Sequence, residues 1–235
     1  AAMIDMVYVG WLGTRELAAV SFTFPVVMAL STLPTGIGIG AASIIARIVG
    51  AGDEARVRRL SADALMLVGV IVVTLAILGY VFVEPLFALL GADESTLPLS
   101  VAYMKIWFFG LPAFAVPMVA ISTMRAVGNA RQPGIIMAVG AGMQVCLAPI
   151  LIFGIPPWWE GLGFEGAPLG FVISRLATFV YTLYVLSRLQ LLSFAARHWR
   201  DLRASWQEIL RIGLPAMMAN LIGPVSMGVI VAMLA

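Results

Sequence analysis

Residues 17–49 read LAAVSFTFPVVMALSTLPTGIGIGAASIIARIV, an apolar run whose only charged residue is Arg47. The run is longer than the ~20 apolar residues that an α-helix needs to cross a bilayer. Pro25 and Pro34 interrupt it, and a spanning helix tolerates prolines where neighbouring helices or a cavity satisfy the freed carbonyl groups. The stretch therefore predicts a membrane-spanning helix that faces other protein or a cavity.

The glycines of this run form the sequence GIGIG at residues 36–40, which invites comparison with a nucleotide-binding loop. No predicted strand precedes them and no Lys-Ser/Thr pair follows, as such a loop requires. Small residues at this spacing instead let neighbouring membrane helices approach closely. We therefore predict a helix-packing role for these glycines.

Composition extends the membrane prediction to the whole chain. The chain is 62% hydrophobic and 11% charged, with a mean hydropathy of +1.03, whereas a soluble domain carries about 25% charged residues. Further apolar segments lie at residues 1–13, 64–83, 99–124, 134–153, 167–186 and 212–235. The fold class is thus predicted to be all-α, a polytopic membrane helix bundle. Because the first and last segments stop within apolar sequence, we expect a fragment of a longer protein.

The charges between the apolar segments predict the orientation of the bundle. Arginines cluster in the connections at 47–59, 125–131 and 188–211, which alternate with acidic connections. Cytoplasmic loops carry such an excess of Lys and Arg, so these three connections are predicted to be cytoplasmic. Over residues 193–211, apolar side chains recur at helical spacing opposite arginines, which predicts an amphipathic helix on the membrane surface.

Asp5 is an acid inside the first apolar segment, AAMIDMVYVGWLG. At about 1.5 Å per residue it lies ~12 Å inside the Gly13 end, too deep for simple interfacial solvation. An acid at the centre of a membrane helix costs about 2.5–3.5 kcal/mol on insertion scales, so it usually faces a polar cavity and serves function. We predict that Asp5 is a functional acid of the bundle.

Gln144 and Arg175 lie at a depth similar to that of Asp5, about 15–18 Å from the predicted outer side. The three residues therefore predict one polar chamber. Arg175 can pair with Asp5, which would keep the acid charged and hinder proton uptake, or it can face a separate interface. For Asp63 and Lys105, which lie nearer to helix ends, a structural role and snorkelling to the interface are the simpler interpretations.

The sequence contains no catalytic constellation or metal motif. His198 is the only histidine, and it falls on the predicted surface helix. EF-hand, P-loop and HExxH patterns are absent. We therefore expect no enzyme activity, no metal, no cofactor and no nucleic-acid partner.

Several longer runs carry a family resemblance. IDMVYVGWLGTRELAAVSFTFPVVM begins at Ile4, and GIGIGAASIIARIVGAGDEARVRRL begins at Gly36. STMRAVGNARQP, PILIFG and GFEGAPLGFVISR follow later in the chain. Together they resemble the multidrug and toxic compound extrusion (MATE) transporters. The resemblance implies a twelve-helix exporter with two six-helix lobes around a central cavity. Residues 1–192 would then form the first lobe, 193–211 an amphipathic cytoplasmic linker, and 212–235 the start of the second lobe.

The resemblance also implies that Asp5 is the cation-binding acid of the first helix, coupled to helix bending and drug release. Gln144 and Ala148 stand where the family often has an Asn and an Asp, and Phe171 replaces a threonine common in its sixth helix. Fewer oxygen ligands then surround Asp5. This favours H+ over Na+ as the coupling ion, because a lone acid needs only one proton to become neutral. Gln144, Phe171 and Arg175 are the candidate cavity-lining residues.

The predicted function is a proton-coupled antiporter of the bacterial inner membrane. An apolar cavity with few charges suits amphipathic, often cationic organic compounds, bound through aromatic and Met contacts and Asp5. The expected partners are these small molecules, membrane lipids and the second lobe of the same chain. A lipid-linked oligosaccharide flippase of the same superfamily is the first alternative, and a row of lobe-facing cationic residues would favour it. A membrane-embedded transferase is the second alternative.

Overall fold

The computed structural model describes residues 8–11, 13–91, 93, 96–154, 161–191 and 199–234. These residues form a short 3₁₀ turn at Gly163–Glu165 and seven α-helices: 8–11 (α1), Thr14–Gly50 (α2), Glu54–Leu89 (α3), Leu97–Ala126 (α4), Arg131–Phe153 (α5), Gly166–Arg188 (α6) and Trp199–Leu234 (α7). No strand occurs in the described ranges. Helices α2 to α7 are each long and apolar enough to cross a membrane. The prediction of an all-α membrane bundle is confirmed.

Short polar connections join the helices. Gly52 follows α2 with a φ of 78°, and Asp53 then caps α3 by accepting a hydrogen bond from the backbone N–H three residues on, at 3.0 Å. Gly128 follows α4 with a φ of 84°, and Asn129 Oδ1 accepts from the Gln132 backbone N–H at 3.2 Å. Glycine adopts this left-handed conformation without a Cβ clash, and the side-chain caps satisfy backbone donors that a helix start leaves open.

Helix α4 is the centre of the bundle. It packs against α2, α3 and α6 and is the most buried of the spanning helices. Its sequence explains this position, because almost only apolar residues lie between Lys105 and Arg125 and they surround the helix on every side. Met104, Leu111 and Met124 are fully buried and belong to a core shared with α2 and α3.

Helices α2 and α7 touch through glycines. A Cβ on Gly213 of α7 would lie 2.8 Å from the Gly36 carbonyl oxygen of α2. A Cβ on Gly40 would overlap the carbonyl oxygen of Ile209. The two backbones therefore meet without intervening side chains, and the helix-packing role predicted for the GIGIG run is confirmed.

The amphipathic helix predicted for residues 193–211 is described from residue 199 onward, and residues 193–198 lie outside the described ranges. Residues 199–211 are the first turns of α7, and the helix continues without a break into the apolar part. Leu202 and Ile209 are buried, and Trp206 Nε1 donates a hydrogen bond to the Asp63 carbonyl oxygen at 3.0 Å. The buried apolar side chains of this face thus pack on neighbouring helices, and the position of the segment at the membrane surface stays a prediction. The three predicted domain limits are not tested by these contacts and stay predictions.

Replacing Trp206 with phenylalanine is expected to lower the free energy of unfolding by about 1 kcal/mol, because one neutral hydrogen bond is lost while an aromatic ring remains. Thermal unfolding in detergent measures the change. Trp199→Phe is the matched control, since Trp199 is exposed and its ring lies 5.8 Å from that of Trp206. Equal unfolding temperatures for the wild type and Trp206→Phe would contradict a contribution from this hydrogen bond.

Candidate functional site

A cavity of about 220 Å³ lies inside the bundle between α1, α2, α4, α5 and α6. Val9 of α1 and Val20 of α2 are buried and form part of its wall. The wall is mainly apolar and aromatic, and its polar side chains are Thr23, Ser31, Tyr103, Gln144 and Arg175. This composition is typical of small-molecule sites, in which a few polar groups orient a ligand among apolar contacts.

Gln144 and Arg175 are direct neighbours in this cavity. Arg175 Nη2 of α6 donates a hydrogen bond to Gln144 Oε1 of α5 at 2.8 Å. The Gln144 side chain is buried, with 3% exposure, and Arg175 is half-buried. A charged donor makes this bond stronger than one between neutral groups, so it holds the guanidinium at a defined place in the wall.

Aromatic rings surround the guanidinium. Arg175 Cζ lies 5.2 Å from the Phe171 ring centroid and 5.5 Å from the Phe114 centroid. Phe171 in turn stacks on Trp107, with centroids 5.5 Å apart and an interplanar angle of 17°. A cation within ~6 Å of a ring face is attracted by the ring quadrupole. The rings therefore stabilise the positive charge within the spanning part of the bundle.

A second cavity, of about 430 Å³, is lined by residues of α2, α4, α5 and α6, including Arg125 near the end of α4. Phe114 and Arg175 line both cavities. These two residues therefore form a wall that the two cavities share.

A glycine on α5 leaves room for this arrangement. A Cβ on Gly140 would lie 2.7 Å from Thr178 Oγ1 and 3.7 Å from Arg175 Nη1. The Thr178 hydroxyl donates to the Ser174 carbonyl oxygen of its own helix at 2.7 Å. Helix α6 therefore presents hydroxyl groups that are already satisfied, and α5 can pack close beside Arg175.

Sequence reasoning missed Trp107, Phe114 and Gly140 as site residues. Trp107 and Phe114 are seven residues apart, a spacing that puts both on one face of a helix. This signal carries little information on α4, because the helix is apolar on all sides and no face is distinguished.

The structure brings three of the four predicted site residues together: Gln144, Phe171 and Arg175 all line the first cavity. Asp5 lies outside the described residues, so its coupling role and its pairing with Arg175 stay predictions. Within the part of the chain that the structure describes, no three His, Cys, Asp or Glu side chains lie close enough together to hold a metal ion.

Asp63 and Lys105 line neither cavity. Asp63 is 1% exposed, and its carbonyl oxygen accepts the Trp206 hydrogen bond. Lys105 Nζ lies 5.7 Å from the Tyr80 ring centroid. Both residues therefore belong to helix packing outside the candidate site.

Comparison with known proteins identifies the family. The MatE family model matches residues 1–150, more than half of the chain. The chain belongs to the MatE family. It is 37% identical over 235 residues to the FAD transporter of Shewanella oneidensis, covering 100% of this chain and 52% of that protein. It is 31% identical over 222 residues to the probable multidrug resistance protein YoeA of Bacillus subtilis, covering 91% of this chain and 47% of that protein.

Solved MATE structures share the fold. The crystal structure of the Vibrio cholerae MATE transporter VcmN in the bent form matches with a TM-score of 0.85 at 29% identity, over 95% of this chain and 50% of that one. The chain spans about half the length of the curated relatives it matches. The resemblance to MATE transporters is confirmed, and the chain is a multi-pass membrane protein.

Proposed function

We propose that this chain is the first lobe of a cation-coupled exporter of amphipathic organic compounds in the bacterial inner membrane. The 220 Å³ cavity carries the proposal, because its apolar and aromatic wall with few polar groups suits varied organic molecules. Such contacts impose little directional selectivity. The multidrug resistance name of the MATE relative YoeA supports the same conclusion. A second lobe of the same longer protein would complete the transport cavity.

Asp5 is the residue that we propose binds the coupling cation. Val9, four residues further along, is 1% exposed and lines the cavity. Residues i and i+4 share a face of an α-helix, so a helix over residues 1–13, as predicted, would put Asp5 on the same face as Val9. A carboxylate there would change the charge of the cavity each time it gained or lost one cation.

H+ is the coupling ion that we propose. A hard metal cation takes several oxygen ligands. At position 148, where the family often has an acid, this chain has an alanine. Ala148 is buried at 1% exposure and its methyl side chain supplies no oxygen ligand. This supports a site with few oxygen ligands, which suits a proton better than Na+.

Transport by the whole two-lobed protein in liposomes tests this proposal. Efflux of ethidium or of FAD, followed by fluorescence, is expected to accelerate when a pH gradient supplies protons from the receiving side. A sodium gradient at constant pH should leave the rate at its basal value, and protein-free liposomes give the background. Acceleration by sodium alone would replace H+ with Na+, and no acceleration by either gradient would contradict coupled export.

Export of FAD is a second candidate function. The Shewanella oneidensis relative named FAD transporter is 37% identical to this chain along its whole length. Arg175 lines the cavity, where its guanidinium could contact the pyrophosphate of an anionic dinucleotide. Faster efflux of FAD than of ethidium from the same liposomes would favour this candidate.

The two other candidate functions receive less support. An oligosaccharide flippase is expected to carry a row of cationic residues, and the described walls of the two cavities contain two, Arg125 and Arg175. A membrane-embedded transferase needs a histidine or paired carboxylates, and none is among the described lining residues. We therefore propose a transporter without enzyme activity.

A further inference from the structure

We propose that a groove on the outer surface of α3 and α4 binds an anionic phospholipid. One acyl chain of the lipid lies in the groove, and the phosphate lies beside the ammonium group of Lys105. The groove shares no described lining residue with the two cavities inside the bundle. Its ligand is a lipid of the surrounding membrane, so the proposal goes beyond export and does not depend on which compound is exported.

The groove has a volume of about 290 Å³ and a wall of mainly apolar and aromatic side chains from α3 and α4. Its floor is the ring of Phe108, which is buried and packs directly on α3 at Gly79, where an added Cβ would overlap the ring. Ile77, Val81 and Phe109 form the rims, and each is more than half exposed. A hydrocarbon chain fits such a surface, whereas a polar ligand would lose its hydrogen bonds to water there.

Lys105 lies at one end of the groove. Phe109 and Pro112, which line the groove, are four and seven residues further along α4, so they share a helix face with Lys105. The Lys105 Nζ lies 5.7 Å from the ring centroid of Tyr80, another lining residue of the groove. The rings of Tyr80 and Phe109 meet edge to face, with centroids 5.8 Å apart. The ammonium group is therefore beside the groove at the level of these two rings.

The groove runs from the level of Lys105 toward the middle of the membrane. Helices α3 and α4 are antiparallel neighbours, so Val73 and Pro112, which both line the groove, lie at its other end, about 10 Å away. Lys105 lies ~12 Å from the start of α4 at Leu97, and a lysine near a helix end extends its ammonium group toward the headgroup layer. A phospholipid has the same order, with an anionic phosphate in that layer and its chains directed inward.

Charge gives the groove its selectivity, because apolar contacts alone distinguish little inside a bilayer, where lipid tails are as apolar as leucine. A lysine within a spanning segment is costly unless its ammonium group is paired, and no carboxylate in the described ranges forms an ion pair with Lys105. Glu84 lies one turn beyond Tyr80, nearer the end of α3, where the higher dielectric weakens its repulsion of an anion. An anionic headgroup is therefore favoured beside Lys105.

A fluorophore beside the groove tests the proposal in liposomes that contain the whole protein. The fluorophore is attached to an introduced cysteine, Leu78→Cys, in a background in which Cys146 and any other cysteine are replaced by serine. Leu78 is exposed on α3 but does not line the groove. The liposomes consist of phosphatidylcholine with a small fraction of lipid that carries a nitroxide on its acyl chain and quenches the fluorophore. Nitroxide-labelled phosphatidylglycerol, which is anionic, is compared with labelled phosphatidylcholine of the same chains.

We expect phosphatidylglycerol to bind beside the fluorophore with about fivefold higher relative affinity than phosphatidylcholine, the effect of one lysine on an anionic lipid. Lys105→Gln should make the two lipids equal. Lys105→Arg should keep the preference, because the positive charge remains. Ala76 lines the groove, so Ala76→Leu places a larger side chain there and should reduce quenching by phosphatidylglycerol.

Matched variants localise the effect to the groove. Arg58→Gln removes an exposed arginine that pairs with Glu54 in the first turns of α3, at the other end of that helix, and it should keep the lipid preference. Glu84→Gln should keep it as well, since the acid is not part of the proposed contact. Ala88→Leu enlarges an exposed side chain of α3 outside the groove and should be quenched as the wild type is.

The remaining measurements distinguish a bound lipid from a bound phosphate. Soluble sn-glycerol 3-phosphate has the phosphate but no acyl chain, and it should not reduce the quenching. Thermal unfolding verifies that the Lys105 and Ala76 variants are folded. Equal quenching by the two lipids, a preference retained by folded Lys105→Gln, undiminished quenching in folded Ala76→Leu, or displacement by glycerol 3-phosphate would overturn the proposal.

Discussion

Replacing Asp5 with asparagine is expected to abolish the acceleration of efflux by a pH gradient. Asparagine is close to aspartate in size but carries no ionisable group, so the cavity would keep one charge state throughout the transport cycle. In liposomes that contain the whole protein, the initial rate of ethidium or FAD efflux should fall to the rate seen without a gradient. We expect no larger functional effect from any other single substitution.

Two further variants isolate the role of this carboxyl group. Asp5→Glu keeps an ionisable group one methylene farther from the backbone and should retain part of the acceleration. Glu16→Gln makes the same acid-to-amide change in the first turn of α2 and should respond to the gradient as the wild type does. A wild-type pH response in Asp5→Asn would refute the coupling role, while the membrane fold would be unaffected.

Replacing Gly213 with leucine is expected to lower the free energy of unfolding by about 3 kcal/mol, at the upper end of typical overpacking costs. The added Cβ would lie 2.8 Å from the Gly36 carbonyl oxygen and 3.5 Å from Ile37 Cα, both backbone atoms. A backbone cannot rotate aside as the end of a flexible side chain can, so α7 would have to separate from α2. Thermal or denaturant unfolding in detergent, followed by circular dichroism, measures the loss.

Gly142→Leu is the matched control for this helix contact. Gly142 is exposed on α5, and no described atom lies within 4 Å of an ideal Cβ there. Leucine has the higher helix propensity, by roughly 0.8–1 kcal/mol, so the stability of this variant should be unchanged or higher. An equal loss of stability in the two variants would show that close packing of α2 on α7 is not the reason for glycine at position 213.

Most of the fold could be predicted because a chain that crosses a bilayer can adopt few backbone conformations. Lipid offers no hydrogen-bond partners to an open backbone, so long apolar runs must be helical, as α2 to α6 are. The helix ends were less predictable. Helix α3 begins at Glu54, ten residues before the predicted apolar segment, since the charged residues from Arg56 to Arg59 continue the helix beyond the apolar part.

In the candidate site, the depth of the polar residues within the bundle could be predicted, but the aromatic side chains around them could not. Counting residues from the helix ends put Gln144 and Arg175 at a similar level, and their side chains are hydrogen-bonded at 2.8 Å. The sequence does not distinguish which aromatic side chains of α4 face them. Phe109 is 71% exposed on the outside of the bundle, whereas Phe114 and Trp107 turn inward.

Local sequence was enough to establish that the chain crosses a membrane as helices and which polar residues lie within the spans. Each of these properties depends on the hydropathy of one segment at a time. The rotation of α4, the glycine contact between α2 and α7, and the place of Arg175 in the walls of two cavities came from packing between segments far apart in the chain. A helix that is apolar on every side looks the same in sequence whether a given face meets lipid or protein, so its orientation is defined by its neighbours.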